Sequence, residues 1–153
     1  IQRGDFQSEL NLTQLIRNLN EGLTYMFDLK GCNLELSLKD ECKVLGNENK
    51  LKQVLLNIIK NALEALDKGG TVLVKVYKDG DRCKVEIDDD GKGISDEELD
   101  LIFQPFYTTK TEGYGLGLSV CKEIITHHHG EIKFDSIIGQ GTIVTIALPL
   151  ANN

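Results

Sequence analysis

The chain has no tryptophan, one methionine and only two prolines among its 153 residues. With five Phe and four Tyr besides, the core has to be built from Leu, Ile and Val. Basic residues are not in excess: 17 Lys and Arg stand against 24 Asp and Glu, a formal charge of -7. That excludes nucleic acid as a general partner, because nothing neutralises the phosphates. An anionic ligand would have to be held by local dipoles, a metal ion and a few placed cations. No apolar run reaches the ~20 residues of a membrane span and no signal peptide is visible, so no direct membrane contact is expected of this stretch. The four cysteines, Cys32, Cys42, Cys83 and Cys121, form no C-x-x-C pair and sit at no zinc-finger distance from the histidines. A reduced, cytoplasmic chain is the plain expectation, with redox sensing the minor alternative.

What is present fits one domain with a single core. Leu12, Leu15, Ile16, Leu19, Leu23 and Met26 predict an amphipathic helix over roughly 11–29, capped by Asn11 or Thr13 and ended by Gly31. Leu34, Leu36 and Leu38 alternate as in a strand. Asn47 is placed to cap a second helix, whose apolar stripe runs from Leu51 to Leu66 and which Gly69-Gly70 stops. Thr71–Tyr77 and Cys83–Ile87 read as strands about a tight turn at 78–81. Ser95-Asp-Glu-Glu98 is a capping box. A helix over Leu116–Thr126 and a final strand pair, 132–138 and 142–148, follow. Helices and strands mix without strict alternation, which predicts an α+β fold: a two-layer sandwich with one mixed sheet and helices on one face.

Four segments carry the chemistry. Asn57 and Asn61 lie one turn apart, just beyond the Val54 edge of the apolar stripe, so both amides face the same way at the border of core and solvent. An amide oxygen there suits Mg²⁺ in a mostly watered oxygen shell; the plainer alternative is a hydrogen bond to a neighbouring loop. Asp88-Asp89-Asp90 follows the strand expected to end at Ile87. A carboxylate at a strand end can accept from an exocyclic amine but cannot help a phosphate, and Gly91 and Gly93 let the backbone turn and approach a flat ligand. An Asp-Gly turn or a calcium loop are the alternatives, but the EF-hand spacing is missing. Gly113-x-Gly115-x-Gly117 lacks the preceding strand that a dinucleotide fingerprint requires. Glycines leading into a helix instead expose N–H groups at its positive end, a site for phosphates. Lys110 is close enough in sequence to reach a terminal phosphate, and Thr108 and Thr109 could bond backbone or phosphate. Gly139-Gln-Gly141-Thr142 is the fourth segment. Together, in this order, they describe an ATP site that is not a P-loop. His127, His128 and His129 point about 100° apart on a helix and do not converge on a metal; one is expected to cap the helix end and the others to be solvated.

At these residues the chain resembles the catalytic ATP-binding domain of bacterial sensor histidine kinases, in the GHKL superfamily shared with gyrase, Hsp90 and MutL. Leu51–Leu66 resembles the N box, Asp89–Gly93 the G1 box, Phe103–Lys110 the F box, Gly113–Leu118 the G2 box and Gly139–Thr142 the G3 box. Pro105-Phe-Tyr-Thr-Thr-Lys110 with a short lid is most similar to nitrogen-sensor and sporulation kinases. The resemblance implies a Bergerat fold, with residues 1–10 as the remnant of a linker from a preceding dimerisation domain, 11–153 as the catalytic domain and 94–114 as a mobile lid. It implies Mg²⁺ at Asn61, phosphates facing Asn57, Lys60 and Lys110, and the adenine amine on Asp89. Further ATP contacts fall at Gly91, Gly93, Ile94, Thr108, Thr109, Gly113, Gly115, Leu116, Gly117, Leu118 and Thr142. Asp90 and His129 depart from the family, which usually has Asn and often Gly there. No His-Glu-x-x-x-Pro box is present, so the acceptor histidine is expected on a separate dimerisation domain, with a response regulator downstream. Related ATPases carry a glutamate at the position of Asn57 as general base; an amide cannot take a proton, so transfer rather than hydrolysis is implied. The alternatives are a serine kinase of the same superfamily and a nucleotide-sensing module without catalysis.

Overall fold

The computed structural model describes residues 8–101 and 117–151. A short strand, β1 (Ser8–Asn11), runs into helix α1 (Leu12–Lys30), where the Asn11 side chain accepts from the Gln14 N–H at 2.9 Å as the N-cap. Gly31 ends the helix in the left-handed region at φ 76, where a side chain would be strained. Strand β2 (Asn33–Leu38) follows as expected, and β3 (Lys43–Gly46) then pairs antiparallel with β1 as a separate two-stranded ribbon. Sequence pattern gives no hint of this ribbon. Its strands have four residues each, too few to express a period.

Helix α2 (Glu48–Glu64) is capped by Asn47, which accepts from the Lys50 N–H at 2.9 Å, a contact worth about 1 kcal/mol. The helix ends at Glu64, short of the two glycines, but Leu66 still packs in the core. The next strands are longer than their apolar runs suggest. β4 spans Thr71–Asp79 and β5 spans Arg82–Asp89, joined by a two-residue turn in which Gly80 has φ 63. Asp88 and Asp89 therefore belong to the strand itself, and the expectation that the strand stops at Ile87 is corrected. The cause is pairing: Asp89 sits opposite Val72 on one side and Thr142 on the other, so the ladder continues past the last apolar residue. Short helix α3 (Asp96–Leu99) carries the capping box, with both Ser95 and Glu98 engaged. Helix α4 (Leu118–His127), strand β6 (Glu131–Ile137) and strand β7 (Gly141–Pro149) complete the described chain.

The main sheet has the order β2-β4-β5-β7-β6, parallel between β2 and β4 and antiparallel elsewhere. Alternate residues of its three central strands are buried: Val72, Val74 and Val76; Cys83, Val85 and Ile87; Val144, Ile146 and Leu148. That face receives the apolar stripes of the helices, including Leu51, Val54, Ile58 and Ile59 of α2 and Ile125 of α4. Full burial of each such side chain contributes about 1.5–3 kcal/mol. The layering is the expected α+β sandwich with helices on one face. All four cysteines are buried thiols, none of them in a disulfide. Among the described residues no helix is long and apolar enough to cross a membrane.

Candidate functional site

The buried face of the sheet ends in polar residues at one edge. Asp89, Thr142 and Ser136 lie side by side on β5, β7 and β6, one row beyond Ile87, Val144 and Phe134. Asp89 and Thr142 are each 5% exposed, so a carboxylate and a hydroxyl are set into the end of the core. Burial is the largest influence on the Asp89 carboxyl and pushes its pKa up; N–H bonds from Gly91 and Thr142 lower it, and Asp88 and Asp90 raise it. The Gly91 N–H reaches Oδ1 at 2.9 Å. An acceptor this desolvated is a strong partner for a buried donor.

The turn after β5 is fastened on both sides. The Lys92 N–H donates to the Ala65 carbonyl at the end of α2, and a Cβ on Gly91 would stand 2.5 Å from that oxygen. Across the turn, the Gly139 N–H donates to the Lys92 carbonyl at 2.8 Å, and Gly93, buried at φ 78, passes against Ile137. The Ile94 N–H donates to Ser136 Oγ at 2.7 Å. Asp90, the departure from the family pattern, has Oδ1 accepting from the Thr71 N–H at 2.9 Å. An Asn oxygen could make the same bond, so the carboxylate keeps the turn and adds a charge.

The α2 amides form the second wall. Asn61 and Lys60 are half-buried, but Asn57 is buried, 7% exposed, and does not sit at the solvent border as its place on the stripe suggests. The reason is α4, which covers it: Asn57 Nδ2 donates to the Cys121 thiol at 3.1 Å. Gly117 opens α4 with no side-chain cap, which suits an anion at the first turn. Far along α4, His128 Nε2 accepts from the Asn47 N–H at 3.0 Å while Nδ1 lies 2.8 Å from the Ile124 carbonyl and so carries the proton. One histidine thus caps the helix end, as expected, and additionally ties it to the start of α2. His127 and His129 are exposed.

Asn57, Asn61, Asp89, Gly91, Gly93, Ile94, Thr142, Gly117 and Leu118 therefore belong to elements that meet around one end of the sandwich. Thr108, Thr109, Lys110, Gly113, Gly115 and Leu116, with the rest of the F box and most of the expected lid, lie outside the described residues. Sequence pattern misses Ser136 and Cys121. Ser136 was findable: strand alternation puts its hydroxyl on the same face as Ile132 and Phe134, a polar residue on an apolar face. Cys121 gives no such signal, since a buried Cys on a helix is ordinary core. Among the described residues no group of three or more His, Cys, Asp or Glu side chains could hold a metal.

The comparisons with known proteins identify the family. The family described as histidine kinase-, DNA gyrase B-, and HSP90-like ATPase matches residues 46–152. Sporulation kinase C of Bacillus subtilis (strain 168) is 43% identical over 114 residues, which are 74% of this chain and 27% of that protein. The chain thus spans about a quarter of that curated relative. The catalytic domain of histidine kinase ThkA, in a nucleotide-free form, superposes with a TM-score of 0.85 at 30% identity, over 94% of this chain and 95% of that one. ThkA in complex with the response regulator protein TrrA gives 0.80 at 27% identity, over 95% of this chain and 42% of that one. The chain belongs to the histidine kinase-, DNA gyrase B- and HSP90-like ATPase family and stands within it among the catalytic ATPase domains of sensor histidine kinases.

Proposed function

We propose that this chain binds Mg-ATP at the end of the sandwich and passes the γ-phosphoryl group to a histidine on a separate dimerisation domain, in two-component signalling. The observation that carries the reading is Asp89: a carboxylate buried at 5% exposure beside Thr142, with backbone donors fixing it in place. In that position it accepts from the 6-amino group of adenine, with Gly91, Gly93 and Ile94 along the ring and Thr142 behind it. Asn57, Lys60 and Lys110 face the phosphates, joined by Thr108, Thr109, Gly113, Gly115, Leu116, Gly117 and Leu118.

The metal fits on the chemistry of its donors. We place Mg²⁺ on the side-chain amide oxygen of Asn61, half-buried on α2 one turn after Asn57. Mg²⁺ keeps most of its shell as water and phosphate oxygens, so one protein ligand suits an ion that arrives with the nucleotide. When bound, it would neutralise charge on the phosphates.

Phosphoryl transfer then needs mainly position and charge. An imidazole nitrogen of the acceptor domain forms the new bond to γ-phosphorus, the bond to the bridging oxygen breaks, and ADP leaves. Asn57 is an amide and cannot take a proton from water, so the group is kept for the imidazole. The response regulator, as the next acceptor, would bind the assembled kinase. The test is to mix the chain with its dimerisation domain and γ-labelled ATP. Acid-labile, base-stable label on that domain is the expected result. Tight ATP binding with no transfer, or acid-stable label on serine, would overturn the reading.

A further inference from the structure

We propose that Ser136 sets the donor–acceptor polarity of the pocket's base-reading end, by holding the Thr142 hydroxyl as an acceptor. This inference rests on the adenine site proposed above. Ser136 Oγ makes three contacts: the Ile94 N–H at 2.7 Å, the Gly141 carbonyl at 3.2 Å and Thr142 Oγ1 at 2.7 Å. A hydroxyl has one proton and two lone pairs. The Ile94 N–H can only donate and takes one lone pair. The Gly141 carbonyl can only accept and takes the proton. The remaining lone pair faces Thr142, so all three contacts are satisfied together only when Thr142 donates to Ser136.

Thr142 Oγ1 is then left with lone pairs alone. Its neighbour across the strand pair is Asp89, an acceptor when ionised. Both side chains at this edge therefore accept. A base with an exocyclic amine at its 6-position is favoured, and one with a carbonyl there meets two acceptors. A site built on such fixed polarity discriminates more strongly than shape alone. Ser136 touches no nucleotide in this scheme; it is a positioning residue acting through Thr142. Its bond to Ile94 also ties the start of the expected lid to the same hydroxyl.

The test compares ATP with ITP, which carries a carbonyl where ATP has the amine, by calorimetric binding to the chain. Wild type should prefer ATP. Ser136→Ala frees the Thr142 hydroxyl to turn and donate, so the preference should fall about five- to tenfold, the range of one ordinary hydrogen bond. Ser136→Thr should restore it, and in a Thr142→Val background Ser136→Ala should move the ratio no further. If Ser136→Ala does not fold, Ser136→Cys keeps the bulk with a weaker donor and acceptor and should shift the ratio the same way. Equal weakening of both nucleotides with an unchanged ratio would make Ser136 a mere strap and overturn the inference alone. A wild-type chain that binds ATP and ITP alike would overturn the adenine site and this inference together.

Discussion

Replacing Asp89 by Asn should weaken ATP binding without weakening the fold, because the two effects have separate causes. Burial pushes the Asp89 carboxyl above its ordinary value, with Asp88 and Asp90 adding to the shift against the N–H bonds of Gly91 and Thr142. For an acid whose pKa is raised by folding, the folded state gains as pH falls toward the unfolded value of about 3.9, and that gain is lost as pH rises through the folded value. At neutral pH the ionised carboxylate is therefore a cost to the empty domain. The amide removes the charge and keeps one oxygen for the Gly91 N–H, while the Thr142 N–H loses its charged acceptor; the two changes oppose each other, so the thermal midpoint of the nucleotide-free variant should stay within a few degrees of wild type. Binding behaves oppositely. A hydrogen bond to a charged acceptor is worth about 1.5–3 kcal/mol, which is roughly a ten- to 150-fold rise in Kd for ATP. Calorimetry and thermal unfolding at neutral pH read the two effects separately. In wild type, ATP affinity should also decline on acidification at a pH above the ordinary carboxylate range, and this decline should vanish in the variant. Unchanged ATP affinity, or a variant several degrees less stable, would refute the reasoning.

Gly141→Ala should lose both stability and ATP binding: at φ 126 a Cβ would stand 2.0 Å from the Asp89 carbonyl, so β7 has to move away from the carboxylate it flanks. The backbone strain alone is of order 1–3 kcal/mol, which urea unfolding should register as a minimum. His129→Gly should stabilise the domain by about 0.5–1 kcal/mol in the same assay, because His129 holds φ 63 after α4, where glycine carries no Cβ penalty. Glu41 is held at about 2 by hydrogen bonds from Arg17 and Asn11. Its contribution is present above the ordinary carboxylate range and lost as pH falls toward 2, so the loop before β3 should lose hydrogen-exchange protection there first, and earlier in high salt because the pair is exposed.

Helices α1 and α2 were legible because each combines a cap with a long stripe: Asn11 and Asn47 bond where the pattern places them, and Gly31 takes the left-handed turn. The strands were legible only where apolar residues alternate. β5 runs two residues further because Asp88 and Asp89 find ladder partners on both sides, and pairing is a long-range fact that local composition does not carry. The same limit hides the depth of Asn57. Its place at the edge of the α2 stripe is correct, but the burial comes from α4, some sixty residues later, through Cys121. The polar row was half visible. Asp89 and Thr142 stand beside recognisable glycine turns, whereas Ser136 becomes meaningful only once β6 is seen to lie beside β7.

The three consecutive aspartates show how register gives identical side chains different surroundings. Successive side chains on a strand point to opposite faces, so the ladder sorts Asp88 from Asp89 without any difference in composition. Asp88 faces outward with Lys75 and Glu86, opposite Leu73 and Ile143. Asp89 faces the helices, between Val72 and Thr142. Asp90 lies past the strand, where its carboxylate fastens the first residue of β4. A slip of one residue in the pairing of β5 would send Asp88 into the pocket and Asp89 to solvent. The register is held by the apolar residues behind it, Cys83, Val85 and Ile87, which a slip would expose. The core therefore selects which carboxylate is buried at the end of the sandwich and so, on the proposed function, which one would meet the ligand; the charge repulsion among the three is tolerated because only one of them is buried, with the Gly91 and Thr142 N–H groups donating to it.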